Sequence, residues 1–378
     1  MLDGGGRRVL ILGQLDGFAN GKWPVAVQRF LADHGHHAEI VDTYHLSRAG
    51  STGRRRRWPG RAPLQWLLFG VEAGLSVLAR VRGPLRRRLT APLLTAELRL
   101  RGALLRRRLP FAGFDLVICE TPHDTDALRG CPVPTFYHCP TPWADELLLE
   151  GRVTARQHRR MRRRESELFE SVDYLSFHWD SYARYAVREY GISGDNLKSI
   201  VSGCDVTDRR AGYAHPARIV YLGSLSSWFI DLALLARLSR LLDIDVYGGP
   251  APHPALGLRY RGWAAPDVLA DYQFGLITCT NDPLRRSGFS AKHLEYFAHG
   301  LPVLVPRWRD DPALAAGSIP YDESSFVDAV AAASTPGAWA ELNAAALAQA
   351  RRFSWDASLA NLDALLRRGG RDQVTGSA

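Results

Sequence analysis

Short runs that are apolar at nearly every position alternate along the first half of the chain with longer stretches of helical spacing. Residues 9–13, 38–42, 115–120, 135–139, 174–178 and 199–201 read as strands buried on both faces. Such strands belong in a parallel sheet with helices over both sides, and right-handed crossovers make the doubly wound arrangement the default. A polar stretch, 202–210, interrupts the rhythm. The alternation then restarts, with strands at 218–222, 244–247, 258–261, 275–279 and 302–305. Helices are expected at 230–242, 266–272, 290–299 and 324–333.

The pattern therefore predicts an α/β chain of two Rossmann-like domains, 1–205 and 206–338. Helical residues 339–368 are long enough to pack back across both, and the polar tail 369–378 is expected to be disordered. A length of 378 residues agrees, being generous for one core and comfortable for two.

Charge changes this picture in one segment. The chain carries +9 overall, yet residues 51–108 hold fifteen arginines against only Glu72 and Glu97, a local balance of +13 that leaves −4 for everything else. A nucleic-acid-binding protein would spread its positive field and interleave exposed aromatics, so that reading is weak. Within this insert (52–108), Leu64, Leu67, Leu68, Val71, Leu75 and Leu78 recur at helical spacing, with Trp58, Trp66 and Phe69 nearby. The run is short for a bilayer crossing and is broken by Gly70, Glu72 and Gly74. It suits a helix lying in a membrane interface, aromatic and leucine side chains in the lipid boundary and arginines on anionic headgroups. An ordinary amphipathic helix packed on the sheet would show the same spacing. A second arginine cluster, 152–164, supplements the first.

The five cysteines, Cys119, Cys131, Cys139, Cys204 and Cys279, form no CxxC pair. They point to reduced thiols, a cytoplasmic setting and no structural zinc. Arg7 and Arg8 precede only a strand-length apolar run, so no signal peptide is expected. Of the basic residues only Lys22, Lys198 and Lys292 are lysines, which marks each as a place where a compact ammonium is preferred to a planar guanidinium, or as chance.

Ligands of open parallel sheets bind beyond the carboxyl ends of the strands. The most informative segment there runs from Ser290 through Lys292, Glu295 and Gly300 to Pro302 and Val303. Ser290 is a candidate N-cap, and Gly300 suits the helix's end. Lys292 and Glu295, three apart, share a face at its first turns, where lysine and helix dipole together can hold a diphosphate. A surface Lys–Glu pair would show the same spacing. Residues 14–24 form a glycine-bearing loop, with Gly17, Gly21 and Lys22, that feeds a helix and caps the binding crevice. No GxGxxG, Walker A, HExxH or nucleophile-elbow spacing occurs, and Asp243-Ile244-Asp245 lies at the wrong end of its strand for a DxD metal motif. No metal is expected.

The segment 290–305 resembles the donor-binding helix of GT-B-fold glycosyltransferases, whose pattern is roughly K-x-x-E-[YA]-x-A-x-G-x-P-V. The likeness extends over about 199–308. Ile219 to Leu225 is similar to the strand and glycine turn that open their second domain, and Val246 to Pro250 to their GxGP-like turn. Tyr260 to Trp263 is similar to their F-x-G segment, and Ser202 to Asp205 to their interdomain NGVD. The resemblance implies two domains facing a central cleft and a nucleotide-sugar donor, with UDP or GDP as carrier. Lys292 would contact the diphosphate and Glu295 the ribose. Gly223, Ser224, Tyr247, Gly248 and Gly249 would let backbone approach the donor, with Ser290 at the helix tip. Arg261 and Trp263 would border the base.

Retaining members of the largest such family carry two glutamates eight positions apart; the earlier place here is Ser287. That departure points toward inverting enzymes that assemble bacterial polysaccharides or decorate metabolites, with a lipid-linked or hydrophobic acceptor and an anionic membrane surface on the inner face of the cell membrane. An inverting transfer needs a general base on the first domain's strand ends. Asp145, His138 and Asp124 are the candidates, with a satisfied core histidine as the plain alternative for His138. A nucleotide-sugar epimerase on the same scaffold is the other enzymatic reading.

Overall fold

A computed structural model describes residues 6–15, 22–44, 46, 63–81, 83–309 and 311–368. The chain divides into two compact units. The first comprises the residues up to Val201 together with those from Leu359 on; the second is Ser202–Ser358. Gly17, Gly21, Trp58 and the tail 369–378 lie outside the described residues.

The first unit holds five parallel strands, β1 (Arg8–Gly13), β2 (His37–Asp42), β3 (Leu116–Cys119), β4 (Thr135–Cys139) and β5 (Tyr174–Phe177), in the order β2-β1-β3-β4-β5. β3 and β4 are buried along their whole length, as double-sided burial requires. Helices α1 (Lys22–Asp33), α2 (Pro63–Arg80), α3 (Pro84–Arg108), α4 (Trp143–Leu149), α5 (Ala155–Ser171) and α6 (Asp180–Tyr190) connect them. The strand expected at 199–201 does not form. Pairing beside β5 occurs three residues earlier, where Leu175 accepts from the Lys198 amide (2.7 Å) and donates to Asn196 (3.0 Å).

The basic insert is two helices where the spacing predicted one. α3 escaped periodicity because its arginines are divided between environments: Arg106 and Arg107 are exposed while Arg101 is buried. Gly102 lets the helix lie directly on the turn carrying Asp126, which a Cβ would strike at 2.7 Å. No helix among the described residues is long and apolar enough to cross a membrane.

The second unit holds β6 (Ile219–Leu222), β7 (Ile244–Tyr247), β8 (Arg259–Tyr260), β9 (Phe274–Leu276), β10 (Val303–Pro306) and β11 (Ser318–Tyr321), all parallel, in the order β11-β10-β9-β6-β7-β8. The pattern missed β11, whose Pro320 is tolerated because the strand lies at an edge. Its helices are α7 (Leu232–Leu241), α8 (Pro283–Arg286), α9 (Ala291–Ala298), α10 (Phe326–Ala333) and α11 (Pro336–Arg352). The helix expected at 266–272 is a 3-10 segment, Pro266–Asp271, with Leu269 its one buried residue, too little packing to hold an α-helix.

The last helix, α12 (Trp355–Arg368), starts in the second unit and continues in the first, the division falling after Ser358. In the first unit Asp363 bonds His36 Nε2 at 2.9 Å and Asn361 donates to the Ser199 carbonyl at 2.8 Å. α11 belongs wholly to the second unit, where Asn343 caps the Gly300 carbonyl and Trp339 Nε1 donates to Gln273 (3.1 Å).

Candidate functional site

In the second unit, glycines end β6 and β7 and bring backbone together. Gly223 (φ 149°), Gly248 (φ 102°) and Gly249 (φ 67°) all adopt conformations that a side chain disfavours. A Cβ on Gly248 would press the Gly223 carbonyl at 2.7 Å, and one on Gly249 the Leu225 amide at 3.2 Å. Ser224 lies in the same turn, its hydroxyl 3.1 Å from that of Ser226.

α9 brings Lys292 to this turn. A Cβ on Gly223 would overlap Lys292 Cε and stand 2.7 Å from Nζ, so the ammonium rests on the glycine backbone. The helix is held there by Tyr296, whose hydroxyl accepts from the Leu222 amide (3.0 Å) and donates to the Leu276 carbonyl (3.3 Å). Gly275, lacking a Cβ, makes room for the Tyr296 ring on the sheet. Lys292 Nζ also lies 5.5 Å from the Tyr221 ring. Although the side chain is only half-buried, protein surrounds the ammonium, and this burial pulls its pKa down to about 8. Glu295 works in the opposite direction and Arg309 in the same one. Ser290 occupies the N-cap position, but its side chain makes no cap hydrogen bond; its carbonyl instead accepts from the His293 amide at 2.8 Å.

Other donor-side candidates are engaged elsewhere. Arg261 Nε bonds Asp245 at 2.8 Å, and Tyr247 shares a hydrogen bond with Tyr272, which itself donates to Asp245. Arg261 is thus a strut between β7 and the segment after β8. Trp263 is 69% exposed, an indole presented outward behind Gly262.

In the first unit the three base candidates prove to be held internally. Asp124 has no exposure; Arg101 Nε donates to one of its oxygens at 2.8 Å and the Thr43 hydroxyl to the other. Asp145 receives His158 Nε2 (2.5 Å) on one oxygen and the Tyr185 hydroxyl (2.8 Å) on the other. Both carboxylates are spent on packing helices, a correction to the expectation that either acts as a base. His138 is fully buried, with Nδ1 at 2.6 Å from Ser176 Oγ and its ring stacked 4.0 Å from Trp23. Burial, then the nearby His178, hold its pKa well below the ordinary histidine value. It is a core histidine but not a satisfied one, since its Nε2 is buried without a hydrogen-bond partner. Lys22 is the exposed first residue of α1.

The residue that sequence reasoning passed over is His178, immediately after β5. A quarter of its side chain is exposed; the ring lies 4.7 Å from His138 and its Nε2 is 3.5 Å from Glu120, which follows β3. That separation is an ion-pair distance rather than a well-formed hydrogen bond. Burial raises the Glu120 pKa, with His178 opposing. The signal was available: both residues sit one position beyond a strand's carboxyl end. Among the described residues no three His, Cys, Asp or Glu side chains assemble as a metal site.

No family model matches the chain, and no curated protein sequence matches it. Solved structures do. Sucrose-phosphate synthase from Thermosynechococcus elongatus superposes with a TM-score of 0.66 at 12% identity, covering 97% of this chain and 100% of its own. A glycosyltransferase from Rickettsia africae gives 0.58 at 12% identity, over 98% and 100%. Anabaena HepE, solved with UDP and glucose, gives 0.58 at 14% identity, over 96% and 100%. The fold is GT-B. The two Rossmann-like units and the glycine turns at the ends of β6 and β7 are what the sequence resemblance implied for that fold. At such identities the GT-B likeness concerns architecture, and chemistry must be argued from the residues.

Proposed function

We propose that this GT-B chain is a glycosyltransferase that moves a sugar from a UDP- or GDP-linked donor to a lipid-linked or otherwise hydrophobic acceptor, with inversion and without an essential metal. One observation carries the donor assignment. Three side-chain-less backbone positions, a half-buried lysine and an uncapped helix N-terminus meet at the carboxyl ends of β6 and β7. Such a combination suits a diphosphate, whose oxygens need close backbone amides and a compact positive charge. HepE, of the same fold, was solved with UDP and glucose, which supports this class of donor.

The acceptor hydroxyl attacks the anomeric carbon as the bond from that carbon to the phosphate oxygen breaks. The base assigned to its proton on this reading is His178, a quarter exposed at the first sheet's carboxyl end, with Glu120 opposite one ring nitrogen to stabilise the imidazolium. The departing nucleoside diphosphate carries its negative charge against Lys292, which performs without a metal the neutralisation a divalent ion would provide.

For the acceptor, α2 and α3 present an exposed apolar surface, Trp66, Leu67, Phe69, Val77, Leu85 and Leu89, flanked by exposed Arg80, Arg87 and Arg88. Each arginine near an anionic bilayer is worth ~1 kcal/mol, so this surface suits attachment to the inner membrane face. The test is a thermal-shift panel of nucleoside diphosphates. Stabilisation by UDP or GDP, lost in Lys292→Ala and Glu295→Ala, is the expected result. Flat melting curves across the panel would sink the donor assignment.

A further inference from the structure

We infer that Arg309 is a second phosphate-binding residue of the donor site, gripping the diphosphate jointly with Lys292; this rests on the donor reading above. β10, β9 and β6 are neighbours in the second sheet, and just beyond their carboxyl ends lie Arg309, Cys279 and Gly223. The three positions therefore belong to one rim.

Arg309 is 8% exposed. Among the described residues its hydrogen-bonding partner is a thiol, Cys279 Sγ at 2.7 Å from Nη1, and no carboxylate stands within ion-pair distance. A guanidinium has five N–H donors, and sulfur is a weak acceptor. Arg101 shows how this chain buries an arginine for structure: Asp124 at 2.8 Å, Glu72 at 3.1 Å and the Thr43 carbonyl at 2.6 Å. Arg309 has none of that compensation, and a buried charge without a counter-charge is costly.

Around it stands a second cation, Lys292, which Glu295 partly offsets. The guanidinium depresses the Lys292 amine, and after burial it is the cause that brings the His293 imidazole down to about 3. The N-terminus of α9, which has no side-chain cap, contributes the same sign. Two cations and a helix N-terminus at one rim, set against the carboxylate of Glu295, favour a further anion among them. A diphosphate supplies enough charge for both, a compact ammonium meeting one phosphate and a planar fork taking two oxygens of the other.

Isothermal titration of the full chain with UDP, GDP, inorganic pyrophosphate and the parent nucleosides tests this, comparing wild type, Lys292→Ala, Arg309→Met and Arg309→Lys. Removing one charge-assisted contact should weaken nucleoside diphosphate and pyrophosphate by ~10–100-fold while nucleoside affinity holds. Arg309→Lys should recover part of the loss. Because Arg309 is uncompensated in the empty protein, Arg309→Met should melt no lower than wild type without ligand, which a structural arginine would not allow. Undiminished diphosphate affinity in Arg309→Met, or a lower ligand-free melting temperature, overturns the inference. A wild type that binds no diphosphate overturns the donor reading as well, whereas binding lost in Lys292→Ala and kept in Arg309→Met leaves that reading intact and removes only Arg309.

Discussion

The two units are built to one plan, parallel strands with binding loops at their carboxyl ends, yet they treat charge there in opposite ways. In the first, Asp124 is locked to Arg101 and Asp145 to His158 and Tyr185. Burial works against the Arg101 charge, but Asp124, together with Glu97 and Glu72, more than offsets it and raises its pKa. In the second unit, burial depresses the Lys292 amine, and Arg309 adds to the depression while Glu295 opposes it. A closed network keeps helices in place; an open one keeps capacity for a ligand. Position at a strand's end therefore does not by itself mark a functional residue. Whether the residue's partners are already present does.

The largest effect that would break this comparison concerns folding. Asp124→Ala leaves Arg101 buried without its main partner and should cost ~3–5 kcal/mol, read as a lowered denaturation midpoint. A loss below ~1 kcal/mol would mean that the first unit's network is no more closed than the second's.

Next comes Gly223→Ala. The added methyl overlaps Lys292 Cε in a backbone conformation that disfavours a side chain, so the ammonium must leave the turn. Loss of that contact, ~1.5–3 kcal/mol, should appear as roughly tenfold or greater weakening of nucleoside diphosphate binding in titration calorimetry. Unchanged affinity would detach Lys292 from the ligand.

The smallest effect sharpens the comparison through pH. Lys292 titrates at about 8 in the folded chain, down from 10.5. Between those values the unfolded chain holds a proton that the folded one has released, so this group's contribution to stability rises with pH across that window. Anion binding needs the proton, so diphosphate affinity should fall as pH climbs through about 8, with proton uptake on binding detectable in buffers of different ionisation enthalpy. Stability and affinity moving in parallel would contradict the assignment.

Much of the architecture was legible because burial on both faces writes a strand directly into the sequence. β1, β4 and β6 came from runs such as Val9-Leu10-Ile11-Leu12, whose apolar positions leave no solvent face. α3 was not legible, since an arginine paired with a buried aspartate and one facing water look the same in a sequence. The glycines of the turns after β6 and β7 and the lysine that packs on Gly223 were legible, while the surroundings of Arg309 and His178 were not, since they depend on neighbours distant in the chain.

By itself, then, the sequence determined the local and periodic features: two runs of alternating strands and helices, the glycines that allow backbone to meet backbone, the concentration of arginine in one segment. Tertiary structure alone decided which charges are compensated. Compensation depends on distances of a few ångströms between residues far apart in sequence, such as Arg101 and Asp124 or Lys292 and Gly223. The same side chain is a strut where its counter-charge is supplied by the fold, and is free to serve the proposed binding role only where it is not.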